Sequence, residues 1–391
     1  MDTTVLLLFV VASLASLFMA WVVGAGSSGA TPFAPAVGAN AIPTMRAAFV
    51  VGIFGFLGAV LQGANVSEAV GSGLIEGVSL PATGVILVLL IGAGLMAIGI
   101  YTGYPIATAF TVTGSVVGVG LALGGAPAWA KYQEIGLVWV GTPFVGGGIA
   151  YLIASLLPRE DIPERFSVPA LAGLVGSVVA NLDFPRLGTN GDPGSIAGAV
   201  ARSMSVDPSI AIGGTTLLVG VVVAVAVHWD IASNRDGGLR RVLLALGSLV
   251  AFSAGGSQVG LAVGPLLPLA DQIDAVSTFA VLFGGGLGIL VGSWTGAPRM
   301  IKSLSQDYSS LGPRRSIATL VPSFLIAQTA VLLGVPVSFN EVIVSGIVGS
   351  GAAVGGSDVI DTRKILVTVG AWVGSLLLAF VIAYAMARAL M

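Results

Sequence analysis

Apolar runs long enough to cross a bilayer recur from one end of the chain to the other. They include residues 5–23, 47–62, 81–100, 137–157, 210–227, 241–254, 276–294, 317–334 and 365–387. Roughly 20 apolar residues cross a hydrocarbon core of about 30 Å as a helix. A chain built from such runs has little choice of fold, because backbone N–H and C=O groups in lipid must be satisfied within the segment itself. Composition agrees: 55% of residues are hydrophobic and 9% charged, against about 25% charged in soluble domains, and the mean hydropathy is +1.01. The expected fold class is all-α, a multi-pass protein of the cell membrane with about 10–12 transmembrane helices.

The same composition excludes several functions. Without cysteine the chain has no disulfide framework, thiolate nucleophile or cysteine metal site. The one histidine, His228, ends an apolar run beside Trp229 and Asp230 and reads as an interfacial structural residue. No nucleophile–base pair or metal set stands out, so an enzyme is not expected, and neither are catalytic residues, cofactors or resident metals. A net charge of −2 with no basic stripe argues against nucleic acid. The first apolar run follows Met1-Asp2-Thr3-Thr4, which lacks the basic start of a secretory signal, and is expected to stay as a helix.

The chain also repeats itself. Trp139-Val140-Gly141 followed by Ile149-Ala150-Tyr151 returns, at the same spacing, as Trp372-Val373-Gly374 and Ile382-Ala383-Tyr384. Upstream, "GYPIATAFTVTGSVVGVGLALGG" (103–125) aligns without gaps on "GVPVSFNEVIVSGIVGSGAAVGG" (334–356). The expected organisation is a first repeat over 1–157, a middle segment over 158–240 with two hydrophobic helices (168–182 and 210–227), and a second repeat over 241–391. Charge relates the repeats. Arg46 is followed by Glu68 and Glu76 in the first, whereas Asp271 and Asp274 precede Arg299, Lys302, Arg314 and Arg315 in the second. Basic loops mark the cytoplasmic side, so the swap of sign implies two inverted repeats, a transporter architecture. The "PREDIPER" run (158–165) reads as a solvated connector, and the topology of 158–240 stays open.

Four polar, glycine-rich stretches interrupt the apolar runs. "GAGSSGATPFAPAVGANAI" (24–42) carries no charge, four glycines and two prolines, and "SAGGSQVGLAVGPLLP" (253–268) is its counterpart. Gly103-Tyr104-Pro105 and Gly334-Val335-Pro336 each precede a segment too short for an ordinary span. Broken backbone at membrane depth is tolerated only where it is buried in protein or lines a cavity. Proline fits the first turn of a helix, so Pro105 and Pro336 are expected at the starts of re-entrant half-helices. Such starts expose N–H donors and the positive end of a helix dipole, which favour an anion. Most of the glycines, Gly284-Gly285-Gly286 among them, are read as permitting close helix approach. The tryptophans 21, 129, 139, 229, 294 and 372 are read as aromatic-belt residues.

At this point the residues resemble the inorganic phosphate transporter (PiT) family of ion-coupled permeases. "FSAGGSQVGLAVGPL" (252–266) is similar to the family's FxHGANDVANAVGPL, and "PIATAFTVTGSVVG" and "PVSFNEVIVSGIVG" resemble its PVSTTH hairpins. The resemblance implies a secondary active permease for an inorganic oxyanion, with phosphate the expected substrate, coupled to Na+ or H+. A permease for another anion such as sulfate, or a non-transporting membrane receptor or scaffold, is the alternative. The implied substrate-binding residues are Ser27, Ser28, Thr31, Thr108, Ser257, Gln258, Ser338 and Asn340. Glu341, the one acid inside a hairpin, is the implied coupling-ion residue. The chain departs from the family where Asn-Asp of the signature becomes Ser27-Ser28 and Ser257-Gln258. That loss weakens a sodium site, which needs oxygen ligands, and makes proton coupling a competitor. Partners are then the anion and the lipid bilayer; assembly as a homodimer stays open.

Overall fold

The structure, a computed structural model, describes residues 3–158, 163–184, 187–188, 194–273, 276–308, 310–355 and 361–391. Asp274, the 159–162 part of the connector and Gly356 at the end of the second hairpin repeat lie outside the described residues. The chain begins with α1 (Thr3–Gly26), α2 (Ala34–Gly38), α3 (Thr44–Gln62), α4 (Ala64–Ser72), α5 (Ala82–Thr102), α6 (Thr108–Ala122) and α7 (Trp129–Leu156). The middle holds α8 (Glu164–Val179), α9 (Ile196–Ser203) and α10 (Pro208–Ser233). The remainder is α11 (Arg235–Val263), α12 (Leu267–Ala270), α13 (Thr278–Thr295), α14 (Ala297–Gln306), α15 (Pro313–Leu333), α16 (Phe339–Gly355) and α17 (Thr362–Leu390). Two-residue strands, Ile75–Glu76 and Ala126–Pro127, pair antiparallel beside α6.

Among the described residues, nine helices are long and apolar enough to cross a membrane, one for each apolar run named above, and α6 and α16 are shorter apolar helices. Their packing crosses the chain. Helix α1 lies against α5 and α13, and α11 lies against α15 and α3. Helix α6 packs on α17 while α16 packs on α7. Lipid-facing helices α7, α10 and α17 are the least buried, and α11 and α15 form the centre.

Glycine sets these crossings. A Cβ at Gly24 would collide with the Ile289 carbonyl, and one at Gly255 with that of Gly55. Likewise Gly58 abuts the Phe252 carbonyl and Gly292 that of Trp21. Helix association in lipid relies on such close van der Waals contact between small residues. This explains why 253–263 is not a break. The stretch continues α11 without interruption, a one-turn 3-10 helix follows only at Gly264–Leu266, and every residue from Ser253 to Val263 is buried. Its first proline is Pro265, so nothing earlier forces the helix to stop. The first counterpart does break: α1 ends at Gly26, and turns lead through short α2. The expected repeat boundary at residue 241 falls inside α11.

The start of α8 is tied to α11 and α15 by Glu164, whose carboxylate accepts from Arg235 Nε at 2.7 Å and Arg314 Nε at 3.0 Å. Burial opposes ionisation of Glu164, but the hydrogen bonds and charges of the two arginines outweigh it and hold its carboxyl below the usual range.

The glycine crossing makes a direct prediction. Gly255→Leu should destabilise the protein by about 1–3 kcal/mol, the usual cost of overpacking, because α3 must move away from α11. Gly94→Ala, whose added methyl meets open space, should leave the melting temperature of the detergent-solubilised protein unchanged.

Candidate functional site

Two chain reversals build the centre of the molecule. Helices α5 and α15 both end on a glycine in the left-handed region, Gly103 at φ 78° and Gly334 at φ 61°. A residue with a Cβ is strained there, and the sign of φ turns the chain back toward the helix it has just left. Extended residues follow, and the next helices begin at Thr108 and Phe339. Pro105 and Pro336 therefore stand three residues before the helix starts, not in the first turn as expected. Their rigid, extended backbone carries the chain across instead.

Each reversal exposes a carbonyl that needs a donor, and each finds one on the far part of the chain. Trp372 Nε1 of α17 donates to Pro105 O at 2.8 Å, and Trp139 Nε1 of α7 donates to Pro336 O at 2.9 Å. Phe110 stacks on the Trp139 ring at 3.9 Å between centroids. These two tryptophans sit about ten residues inside their helices, so they are hairpin clamps and not belt residues. The matched WVG triplets were the signal in the sequence.

Side chains then draw four segments together. Asn340 Nδ2 donates to Gly26 O at the end of α1 (3.1 Å) and to Ile106 O just before α6 (2.7 Å). Ser27 Oγ donates to Gln258 Oε1 at 3.0 Å, and Gln258 Nε2 donates to Val337 O just before α16. The end of α1, the last turns of α11 and the starts of α6 and α16 thus meet at one place. All nine expected residues are buried: Ser27, Ser28, Thr31, Thr108, Ser257, Gln258 and Ser338 are fully inaccessible, Asn340 is 1% exposed and Glu341 2%.

Their hydrogen bonds divide them into two groups. Ser28 Oγ donates to Val23 O at 3.4 Å and Thr31 Oγ1 to Ser27 O at 3.1 Å, so these protons serve the local backbone. Ser27, Gln258 and the Asn340 amide protons are likewise committed to joining segments. Left with no hydrogen-bond partner in the protein are Thr108 Oγ1, Ser257 Oγ, Ser338 Oγ, Asn340 Oδ1 and Glu341 Oε2. Buried polar atoms normally have partners, so these five are exceptions. Three are hydroxyls able to donate; two are oxygens that accept unless Glu341 carries a proton.

A further polar pair escaped the sequence reading: Gln328 Nε2 donates to Gln62 Oε1 at 3.2 Å and to Ser253 Oγ at 2.6 Å, one turn of α11 from Ser257. A glutamine inside each apolar run was the available signal. Among the described residues no three His, Cys, Asp or Glu side chains group as a metal site.

Residues 7–383 match the model of the "Phosphate transporter family". Proteins named "Putative phosphate permease" are similar along most of their length. The one from Pyrococcus furiosus is 25% identical, over 86% of this chain and 85% of that protein. The one from Chlamydia pneumoniae is 26% identical, over 90% of each. A solved structure titled "The sodium-dependent phosphate transporter" shares the fold with a TM-score of 0.80 at 22% identity, covering 98% of this chain and 100% of that one.

The clamps make the prediction here. Removing an indole donor strands a buried carbonyl, which costs about 1–3 kcal/mol. Trp372→Phe and Trp139→Phe should each lower the thermal stability of the solubilised protein by that order, whereas Trp229→Phe, at a position 71% exposed, should not.

Proposed function

The chain belongs to the phosphate transporter family, and from that premise we propose that it is a secondary active permease that holds inorganic phosphate between the starts of α6 and α16. One observation carries the reading: Thr108, Ser257 and Ser338 are buried with unpartnered hydroxyls, on segments that the Gln258 and Asn340 hydrogen bonds draw together. The first turn of a helix offers N–H groups without intrahelical partners, and its dipole favours an anion. No lysine or arginine belongs to the segments 24–31, 105–110, 253–261 and 336–341. Selectivity for a tetrahedral oxyanion then rests on neutral donors.

The two unpartnered acceptors, Asn340 Oδ1 and Glu341 Oε2, bear on the coupling. A carboxylate and an oxyanion about 5 Å apart repel by roughly 3 kcal/mol at an effective dielectric of about 20. Glu341 therefore shares the site with an anion only when a cation accompanies it, either a proton on the carboxyl or a sodium ion taken by Glu341 Oε2 and Asn340 Oδ1. Binding the pair together and releasing it together is symport. Glu341 is the residue through which either ion acts.

The same reading treats α1–α7 and α11–α17 as inverted repeats, with α6 and α16 as their re-entrant helices and 158–240 as an insert between them. In support, the contact of Gly24 with Ile289 is answered by that of Gly255 with Gly55, and Gly58 on Phe252 by Gly292 on Trp21. The swap of charge between Glu68 and Glu76 in one repeat and Arg299 and Lys302 in the other supports the inversion.

Uptake of radiolabelled phosphate into proteoliposomes, with sulfate as competitor, tests the function. A hydrogen bond to a charged group contributes about 1.5–3 kcal/mol, so Ser338→Ala and Thr108→Ala should each raise KM about tenfold or more. Unchanged uptake in both would remove the site. Stronger inhibition of uptake by sulfate than by unlabelled phosphate would transfer the substrate assignment to sulfate, and no uptake of either would leave a receptor or scaffold.

Coupling is tested separately by imposed gradients. Proton coupling predicts uptake driven by an inward proton gradient without sodium, and loss of that pH dependence in Glu341→Gln. Strict sodium dependence, with Glu341→Gln behaving like the parent, would return the role to sodium held without Glu341.

A further inference from the structure

A cavity of about 450 Å³ opens between the end of α3, α15 and the middle-segment helices α8 and α10, with Gln62, Asn181, Asp183, Thr216 and Gln328 on its walls. A second cavity, of about 460 Å³, adjoins it through Asn65 and Leu332 and carries Glu68 and Lys131. Because they share those lining residues, the two are taken together as one path, with Glu68 and Lys131 at one end and the Gln62–Gln328 pair at the other. Those glutamines are 8% and 6% exposed. Burying an amide among apolar atoms is costly unless its hydrogen bonds are met, and here they are met by each other, by Ser253 Oγ and by Asp183 O.

The pair closes against the substrate site itself. A Cβ at Gly256 would lie 2.9 Å from Gln62 Cβ, so Gln62 rests on α11 at the turn that bears Ser257. Ser253, which accepts from Gln328, is one helical turn, about 6 Å, from Ser257. On its outer side Gln62 holds Asp183 O, and Asn181 Nδ2 in turn holds Thr216 Oγ1 at 2.9 Å. The middle segment is thereby linked by hydrogen bonds to the inner end of the path.

We propose that this path is the aqueous vestibule by which the oxyanion reaches the site, that the Gln62–Gln328 carboxamide pair is its inner gate, and that the middle segment forms its outer wall. The inference rests on the permease reading and extends it. A carboxamide pair is chemically suited to gating an anion. It closes with a neutral hydrogen bond, and when it parts each amide offers N–H donors to a passing anion without trapping it by charge. The wall explains what 158–240 adds to a chain whose two repeats already surround the site. Movement of α8 relative to α3 would pull on Asp183 and Gln62 together.

The absence of cysteine from the chain supplies the test. Asn181→Cys, Thr216→Cys and Gln328→Cys are reconstituted singly and exposed to an anionic, membrane-impermeant methanethiosulfonate, with Leu217→Cys as a control on the lipid-facing side of α10, 69% exposed. The vestibule predicts that Asn181→Cys and Thr216→Cys are modified far faster than Leu217→Cys. The gate predicts that inorganic phosphate at about ten times its Kd slows modification of Gln328→Cys about tenfold, the factor by which occupancy depletes the free form. Modification of Asn181→Cys and Thr216→Cys no faster than Leu217→Cys overturns the vestibule whatever the substrate. Labelling of Gln328→Cys unaffected by phosphate, in a protein that takes up phosphate, overturns the gate. A cysteine-free parent that takes up no phosphate while both wall thiols label leaves the vestibule standing and overturns the phosphate assignment instead.

Discussion

Pro105 and Pro336 each present a carbonyl at a point where a helix has stopped and the next has not begun, and each receives an indole N–H from a long helix elsewhere in the chain. Everything at the centre depends on those two bonds. At membrane depth no water completes a broken backbone, so a reversal persists only if protein groups satisfy it. The donors come crosswise, Trp372 to the first hairpin and Trp139 to the second, so neither hairpin is complete until both ends of the chain have packed. Asn340 extends the same logic by holding Gly26 and Ile106 with one amide. Once the scaffold has taken these donors, Thr108, Ser257 and Ser338 keep hydroxyls that no protein group uses.

A binding place made of neutral donors differs from one made of arginines. Hydroxyls and helix-start N–H groups stabilise an oxyanion by direct hydrogen bonds without a fixed counter-charge. On the proposed reading the anion would be held most firmly when a cation accompanies it, and more weakly once the cation leaves. On the proposed reading Asn340 Oδ1 and Glu341 Oε2, buried and without a hydrogen-bond partner in the protein, would be the oxygens for such a companion. Anion and cation affinities are linked reciprocally in any such arrangement, which is what coupled transport requires.

Much of the fold was legible because a bilayer allows few alternatives. Each apolar run named from the sequence corresponds to one membrane-length helix, and both hairpins turn at Gly103 and Gly334, where proline and glycine mark the backbone. Thr108, Ser338, Asn340 and Glu341, expected as site residues, lie at or beside the two helix starts and are buried. The continuity of α11 through Ser253–Val263 was not, because glycine is equally at home in a break and in a tight helix crossing. Only the partner decides, and Gly55 lies about 200 positions away in sequence. The clamping role of Trp139 and Trp372 was hidden for a related reason. Each is fixed by a contact between distant parts of the chain, which local pattern does not encode.

Joint binding of an oxyanion and a cation at the starts of α6 and α16 is the central claim. Calorimetric titration of the purified protein with phosphate, in sodium and in choline buffer at a neutral and a mildly acidic pH, tests it most directly. Joint binding predicts affinity at least about tenfold tighter, or about 1.4 kcal/mol, where sodium or protons are supplied than in choline at neutral pH. The same affinity in all four conditions, or no binding in any, would contradict it.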